Sequence, residues 1–342
     1  MDLGTRAHPR APPNGSGGRR AASDSLARLR VQDLNPTTAV RERPFFIIGC
    51  PRSGTTVVRV ILDGHSRLSI PPESHFVVGL GGRLRRAVTV DDILAHPEVR
   101  GWAMDEVRVR GEVERRRPAD YAELVRAVFE SYAAAHGKPR WGDKTPGYVR
   151  HTRRLLGLFP DAQLVHVIRD GRDVAASLRE QAWGPRRAAV GASWWRRKVA
   201  AGRRAGSRLG PDQYLELRLE DLIAHPEAQT RRLCAFLGES FEAPMLDFPS
   251  RATEMFDADD AVTHHVRKPL TAGLRDWRDG LGPREQRAVE ALCHRQLGRL
   301  TYRGSTWSAP AAVLGWSLVA GHVIRAAPSS LRARLNPGRR RF

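Results

Sequence analysis

The stretch Gly49-Cys50-Pro51-Arg52-Ser53-Gly54-Thr55-Thr56 lies between an apolar run and a helical pattern. The run before it, residues 45–48, reads Phe-Phe-Ile-Ile, which is typical of a strand buried on both faces of a parallel sheet. From residue 55 onward the apolar side chains recur at helical spacing. The sequence therefore predicts a strand, a glycine-containing loop and a helix as the first unit of the fold.

This loop has the frame of a phosphate-binding P-loop, Gly-x4-Gly-Lys-[Ser/Thr], except that Thr55 stands where the lysine is expected. The glycines allow a tight turn, and the helix that follows presents its positive end to an anion. In an NTPase the lysine and Mg²⁺ offset the charge of the β and γ phosphates. Here Arg52 supplies the positive charge, which suits a donor with a less charged reacting end, such as a phosphosulfate. An ordinary strand-to-helix turn is the alternative.

Further strand and helix patterns alternate along the chain. Strands are predicted at 68–70, 163–168 and 214–217, and helices at 121–135, 148–158, 173–180, 187–204 and 227–237. This alternation predicts an α/β fold, a P-loop-type parallel β-sheet flanked by helices, in a single domain with flexible basic tails. We expect a disordered tail over residues 1–43, the domain over 44–307, and a basic C-terminal segment over 308–342 with an amphipathic helix as one option.

The charge is strongly positive, +20 in formal terms. Residues 1–43 hold eight Arg and four acids, and residues 308–342 hold six Arg and no acid. Such an excess suits an anionic ligand, nucleic acid or an acidic membrane surface. Because the charge is scattered and no aromatic–basic alternation of the RNA-binding kind occurs, we expect no specific nucleic-acid partner.

The three cysteines lie far apart without CxxC spacing, which argues against a zinc site or a disulfide framework and fits a reducing compartment.

The N-terminus shows no signal-peptide pattern, and no stretch reaches the ~18 apolar residues that span a bilayer. We therefore expect a cytoplasmic protein. Peripheral association with the inner membrane through the C-terminal segment stays open, either as an interfacial helix on anionic lipid or as a helix packed on the domain.

A second motif is Ile168-Arg169-Asp170-Gly171, with Ser177 eight residues after Arg169. Arg169 follows a predicted strand, and α/β folds bind ligands at the carboxyl ends of their strands. The planar guanidinium of Arg binds phosphate oxygens bidentately. A surface ion pair between Arg169 and Asp170 is the alternative.

On these motifs the sequence resembles the sulfotransferases that use 3′-phosphoadenosine 5′-phosphosulfate (PAPS). It is similar to the bacterial branch and to the tyrosylprotein sulfotransferases, whose loop reads Pro-Arg-Ser-Gly-Thr-Thr as residues 51–56 do here. The cytosolic steroid and phenol enzymes typically have Pro-Lys-Ser-Gly-Thr-Thr. The resemblance extends from about Pro44 to Trp277 and is weak between 80 and 137. It implies the sulfotransferase fold, with PAPS as co-substrate and no metal.

The resemblance also implies how the donor is held. Arg169 and Ser177 would bind its 3′-phosphate, and a basic residue of the late segment 265–269 would close over the nucleotide. For that residue we favour Lys268, with Arg267 as rival. The remaining predicted donor-binding residues belong to the loop: Arg52, Ser53, Gly54, Thr55 and Thr56. An aromatic residue often occupies the position of Leu219 in the family, so this chain departs from the pattern there.

Two catalytic residues follow from the resemblance, besides Arg52. Glu73, in Pro71-Pro72-Glu73-Ser74, matches a glutamate that acts as general base on the acceptor in the tyrosylprotein branch, and His75 is the rival base. Lys144, in Trp141-Gly142-Asp143-Lys144, matches a lysine placed against the donor's bridging oxygen, where negative charge grows as the S–O bond breaks. Arg52 shares this role.

The predicted function is transfer of a sulfonate group from PAPS to a hydroxyl or amine of an acceptor by in-line displacement. The family's acceptors include sugars, lipids, peptides and small phenolics, and the sequence does not choose among them. Two alternatives come from other classes. One is a P-loop kinase or NTPase-like phosphoryl transferase, and the other is a non-enzymatic basic protein that binds anions.

Overall fold

A parallel five-stranded sheet forms the centre of the part of the chain that the computed structural model describes, which is Met1 and residues 42–80, 87–256, 267, 276–302, 304 and 306–326. The strands are β1 Phe45–Gly49, β2 Leu68–Ser69, β3 Arg140–Lys144, β4 Gln163–Ile168 and β5 Tyr214–Arg218. Their order in the sheet is β2-β3-β1-β4-β5, and each neighbouring pair is parallel. The prediction of a parallel α/β fold is confirmed.

Strand β1 lies in the middle of this sheet, between β3 and β4. Phe46 and Ile48 pack into one apolar cluster, whereas Phe45 and Ile47 pack into another. Because side chains alternate along a strand, both faces of β1 are therefore covered. Burial on both faces explains why residues 45–48 form a continuous apolar run.

Helices pack around the sheet. Within the described residues they are α1 Thr55–Asp63, α2 Val90–Leu94, α3 Pro97–Arg100, α4 Glu106–Arg116, α5 Tyr121–Ala135, α6 Thr152–Leu158, α7 Gly171–Arg179, α8 Ala188–Gly206, α9 Leu219–Ala224, α10 Pro226–Leu237, α11 Phe248–Met255, α12 Trp277–Gly280, α13 Pro283–Arg299 and α14 Ala309–Ala326. Short 3₁₀ turns occupy Pro146–Arg150 and Ala243–Leu246. Residues of α1 and α10 join the cluster on one face of β1, and residues of α5 join the other.

The prediction of one continuous helix over 148–158 is wrong. A 3₁₀ turn ends at Arg150, His151 leaves helical geometry with φ −124° and ψ 19°, and α6 begins only at Thr152. The turn is held against the carboxyl edge of the sheet because the Tyr148 hydroxyl bonds to Ser74 there. Apolar spacing alone could not reveal this tertiary anchor.

The parallel topology brings the carboxyl ends of the strands to one edge of the sheet. In α/β folds this is the edge at which ligands bind. The loop 50–54 follows β1, the segment 70–76 follows β2, and the segment 169–170 follows β4. Lys144 is the last residue of β3. Apart from Arg267, every described residue of the predicted site lies on these segments, in the first turn of α1 or, for Ser177, in the second turn of α7.

The tails are described only in part. Residues 2–41 and 327–342 lie outside the described residues, whereas α14 lies within the predicted C-terminal segment. Among the residues that the structure describes, no helix is both long enough and apolar enough to cross a membrane.

Candidate active site

The loop after β1 turns through left-handed backbone conformations. Arg52 has φ 71° and Gly54 has φ 91°, and the Ser53 amide donates to the Cys50 carbonyl at 3.2 Å. A Cβ on Gly54 would lie 2.6 Å from the side chain of Leu219, so this glycine is required by close packing as well as by its φ. Leu219, the position that departs from the family pattern, thus packs directly against the loop.

The loop leaves polar groups available to a ligand. Gly54 begins α1 without a side-chain cap, so the first amides of the helix have no partner from a capping side chain. The Ser53 hydroxyl is buried and has no hydrogen-bond partner in the part of the chain that the structure describes. A buried polar atom without a partner costs free energy unless a ligand satisfies it. The loop therefore fits an anion with several oxygens.

Arg52, Arg169 and Ser177 come together on one side of this loop. Arg52 Nε donates to Ser177 Oγ at 3.1 Å, and Arg169 Nη1 lies 3.5 Å from the Arg52 carbonyl oxygen. The Trp195 indole donates to the Arg169 carbonyl at 2.9 Å and fixes the backbone there. The two residues predicted for the 3′-phosphate thus both contact Arg52, Ser177 through its guanidinium and Arg169 through its backbone carbonyl.

The alternative of an ion pair between Arg169 and Asp170 does not agree with the structure. Asp170 instead pairs with Arg172 at 2.7 Å, and Arg169 lies 3.5 Å from Asp173. Burial raises the pKa of the Asp173 carboxyl to about 6, although Arg169 opposes this shift. The partner of Arg169 is therefore a carboxyl whose ionisation is made less favourable by burial.

Lys144, Glu73 and His75 form a chain of hydrogen bonds on the other side of the loop. The Lys144 ammonium donates to Glu73 Oε1 at 2.6 Å and lies 3.4 Å from Thr56 Oγ1. The second oxygen of Glu73 lies 3.0 Å from His75 Nε2. A lysine from β3 thus lies beside the start of α1, next to a loop whose own sequence lacks the P-loop lysine.

The electrostatics of this chain favour a charged carboxylate. Burial disfavours the charge of Glu73, but the hydrogen bond from His75 and the ammonium of Lys144 outweigh it and lower the pKa to about 2. The same hydrogen bond raises the pKa of His75. Burial lowers the pKa of Lys144, although Glu73 opposes the shift. Glu73 is consequently ionised and paired across the neutral range.

A buried polar network holds the segment that carries Glu73. Ser74 Oγ donates to Asp143 Oδ2 at 2.6 Å, and the Ser74 amide donates to Thr145 Oγ1 at 3.0 Å. The Tyr148 hydroxyl bonds to Ser74 Oγ at 2.7 Å and accepts from the Val77 amide at 3.0 Å. The segment after β2 is therefore fastened to the end of β3, and this fixes Glu73 relative to Lys144.

Sequence reasoning missed the positioning residues of this network, Ser74 and Asp143. Asp143 is fully buried, and burial raises its pKa to about 6. Their position in the sequence could have indicated this role, because each is the immediate neighbour of a predicted catalytic residue. His75 also adopts a left-handed φ of 49°, which is uncommon for a residue with a side chain and concentrates at ligand sites.

Lys268, predicted to close over the nucleotide, lies outside the described residues. Its rival Arg267 is described, and it donates from Nη2 to the Phe256 carbonyl at 2.9 Å. Within the described ranges, no group of three or more His, Cys, Asp or Glu side chains is arranged to hold a metal ion.

Comparison with known proteins identifies the family to which the chain is similar. A family model described as "Sulfotransferase family" matches residues 44–243. Protein-tyrosine sulfotransferase A of Caenorhabditis elegans is 26% identical over 238 residues, which are 66% of this chain and 53% of that protein. The chain spans about half or less of the length of the first curated relatives it matches.

Two solved structures share the fold. The sulfotransferase domain from the Synechococcus PCC 7002 olefin synthase gives a TM-score of 0.50 at 25% identity, over 73% of this chain and 92% of that one. The sulfotransferase domain from the curacin biosynthetic pathway gives a TM-score of 0.54 at 21% identity, over 77% of this chain and 98% of that one.

Proposed function

Because this chain belongs to the sulfotransferase family, we propose that it transfers a sulfonate group from PAPS to a hydroxyl or amine of an acceptor. The observation that carries the proposal is the buried Lys144 ammonium, which is bonded to the Glu73 carboxylate and lies beside Thr56 at the start of α1. A proton acceptor, a fixed cation and a phosphate-binding loop are thereby joined in one hydrogen-bonded unit.

In this proposal the two sides of the loop bind the two ends of the donor. Arg169 and Ser177 bind the 3′-phosphate, assisted by Arg52, whose Nε already contacts Ser177. The loop amides and the buried Ser53 hydroxyl bind the 5′-phosphosulfate, for which the uncapped start of α1 is suited. Each phosphate of the donor thus has its own set of binding groups in this proposal.

The reaction is an in-line displacement at sulfur. The acceptor oxygen or nitrogen forms a new bond to sulfur while its proton passes to a Glu73 oxygen, and the bond between sulfur and the bridging oxygen breaks. The electron pair of that bond stays on the 5′-phosphate, where the Lys144 ammonium stabilises the growing negative charge. The products are the sulfated acceptor and adenosine 3′,5′-bisphosphate.

The contact between Lys144 and Glu73 couples donor binding to the strength of the base. A carboxylate with a pKa of about 2 is ionised but accepts a proton weakly. When Lys144 turns toward the leaving oxygen, Glu73 loses one stabilising partner, and its pKa rises. The base therefore becomes stronger at the step in which the leaving group is stabilised.

The acceptor approaches from the side of His75. The Lys144 side chain is 6% exposed, whereas that of His75 is 49% exposed and that of Glu73 lies between them at 32%. Among these three described side chains, exposure thus increases from the lysine end to the histidine end. His75 therefore lines the entry of the acceptor and orients the carboxylate toward it.

Calorimetric titration tests the proposal. We expect adenosine 3′,5′-bisphosphate to bind with micromolar or tighter affinity in the absence of metal, and ATP with Mg²⁺ to give no measurable binding. Tight binding of ATP with Mg²⁺ and weak binding of the bisphosphate would instead support a phosphoryl transferase built on the same loop.

A further inference from the structure

Helix α14 is apolar both where it packs on the protein and where it faces outward, which is unusual for a helix on the surface of a domain. One side packs on the protein. Ala311, Gly315 and Val319 are buried there, and a Cβ on Gly315 would lie 2.9 Å from the side chain of Leu292 in α13. This contact fixes which side of the helix faces outward.

The outward side is also apolar. It carries Val313, Trp316, Val323 and Ile324, which together we call the α14 face. Val313 is 69% exposed and Val323 is 55% exposed, and the other two are exposed by more than two fifths. The helix sequence contains no acid and only one Arg. A contiguous exposed apolar surface of this kind marks an interaction site.

Two arginine-lined hollows adjoin this face. The first, of about 640 Å³, lies between α8, α13 and α14 and includes Arg295, Arg299 and the exposed Trp307. The second, of about 450 Å³, includes Arg150, Arg197 and Arg204. Arg196 and Gln296 line both, so we treat them together as the arginine cleft. None of the residues that line the two hollows is an Asp or Glu.

The α14 face and the arginine cleft are joined by direct contact. The guanidinium of Arg196, in the cleft, lies 4.4 Å from the ring centre of Trp316, on the face. An exposed Trp with a neighbouring Arg is the arrangement that occurs where a protein meets the headgroup level of a bilayer. The apolar and basic regions therefore form one continuous surface.

We propose that this surface docks on a membrane rich in anionic lipid. The α14 face would enter the boundary between headgroups and acyl chains, while the arginine cleft would bind lipid phosphates. The 16 residues that follow the helix, 327–342, contain five further Arg and no acid, so their charge has the same sign. The inference is independent of the proposed activity, because no residue of the candidate active site contributes to this surface.

Charge complementarity favours a membrane over a second copy of this chain. A symmetric contact through this face would bring the arginine clefts of two copies together, with no acid in either cleft to compensate. An anionic bilayer supplies the opposite charge over the whole surface, together with an apolar layer for Val313, Val323 and Ile324.

Vesicle co-sedimentation of the full-length protein tests this proposal. We expect the protein to sediment with vesicles of phosphatidylcholine and phosphatidylglycerol and to remain in solution with phosphatidylcholine alone. The variant V313S/V323S/I324S, which changes only exposed side chains, should partition onto the anionic vesicles at least tenfold more weakly. The variant R204Q/R295Q/R299Q should show a loss of similar size that wild-type protein reproduces in high salt.

The matched control is R100Q/R108Q/R117Q, which removes the same charge from exposed arginines of the 97–117 segment. It should bind vesicles as the wild type does. The proposal is overturned if the wild type stays in solution with anionic vesicles, or if the control loses as much binding as the cleft variant. It is also overturned if R339Q/R340Q/R341Q alone abolishes binding while the face and cleft variants bind normally.

Sedimentation velocity distinguishes membrane binding through the α14 face from dimerisation of this chain through the same face. If V313S/V323S/I324S converts a dimer of this chain into a monomer and leaves vesicle binding unchanged, the α14 face is an interface between copies and the membrane proposal is wrong. A monomeric wild type whose vesicle binding depends on the face supports it.

Discussion

Two groups of cations in this molecule differ in how their charge is balanced. At the carboxyl edge of the sheet, Lys144 is buried against Glu73, and Arg169 lies beside Asp173. In the arginine cleft, Arg204, Arg295 and Arg299 are exposed, and no acid lines the hollows. Buried, paired cations have fixed positions and suit one ligand of defined shape. Exposed cations suit an extended anionic surface, and salt screens them.

The net charge of +20 is therefore not a single property of the chain. The cations of the candidate active site are positioned by directional hydrogen bonds. The exposed arginines of the cleft instead create a positive electrostatic potential over a wide surface. Substitutions in the two regions should accordingly have different consequences for chemistry, pH dependence and stability.

The largest expected effect comes from Glu73→Gln, because the amide cannot accept the acceptor's proton. Turnover, followed as release of adenosine 3′,5′-bisphosphate from PAPS with any acceptor that the wild type uses, should fall by roughly 10²–10⁴-fold. Affinity for the bisphosphate, measured by calorimetry, should stay close to that of the wild type. The control Glu114→Gln changes an exposed acid of α4 and should leave turnover unchanged. Full activity of Glu73→Gln would remove the residue from the role of base.

The substitution His75→Gln should change the pH dependence of turnover, because His75 is hydrogen-bonded to the buried part of the candidate active site. The hydrogen bond from His75 helps to lower the pKa of Glu73 to about 2. A carboxylate accepts a proton from the acceptor only while it is ionised, so activity should fall as pH decreases through its pKa. Without the imidazole that pKa rises, and the acid limb of the kcat/KM profile should move to higher pH. An unchanged acid limb would show that His75 does not position or stabilise the carboxylate.

Asp143→Asn tests the buried network by stability rather than by rate. Burial raises the pKa of this carboxyl to about 6 from an ordinary value near 3.8. A raised carboxyl pKa means that ionisation opposes folding, so this group contributes stability at low pH that is lost between about pH 4 and pH 6. The difference in unfolding free energy between wild type and variant should thus change across that window, by on the order of 3 kcal/mol. A parallel pH dependence of the two proteins would contradict this account.

The smallest effect is expected in the arginine cleft. R204Q/R295Q/R299Q alters exposed side chains, so its unfolding free energy in denaturant should stay within about 0.5 kcal/mol of the wild type. Turnover with a water-soluble acceptor should also be unchanged, since the cleft is separate from the candidate active site. A large loss of stability would mean that these arginines form structural contacts. The distinction drawn here between positioned cations in the site and exposed cations in the cleft would then be wrong.

Much of this architecture could be predicted from local sequence. The apolar run at 45–48, the glycines at 49 and 54 and the helical spacing that follows predict the central unit, because each depends on residues close in sequence. The strand end before Arg169 was likewise predicted from local sequence, whereas the role of Arg169 and Ser177 at the 3′-phosphate was predicted from the family resemblance. The structure brings both to Arg52, 117 and 125 residues earlier in the chain.

The rest depends on contacts that sequence spacing does not encode. Glu73 and Lys144 are 71 residues apart, and their bond depends on β2 and β3 being neighbours in the sheet. The 3₁₀ turn at Pro146–Arg150 replaces the start of a predicted helix because Tyr148 is anchored to Ser74. The outward orientation of the α14 face likewise follows from packing on α13, since the helix is apolar on both sides.

The most direct test of the central claim is whether the site recognises the 3′-phosphate through Arg169. Titration calorimetry with adenosine 3′,5′-bisphosphate and adenosine 5′-monophosphate gives the affinity gained from that phosphate, in the wild type and in Arg169→Lys. Because lysine cannot form the bidentate contact, we expect a gain of at least tenfold in the wild type to shrink severalfold in the variant, with monophosphate affinity unchanged. Equal affinities of the wild type for both nucleotides would contradict the account.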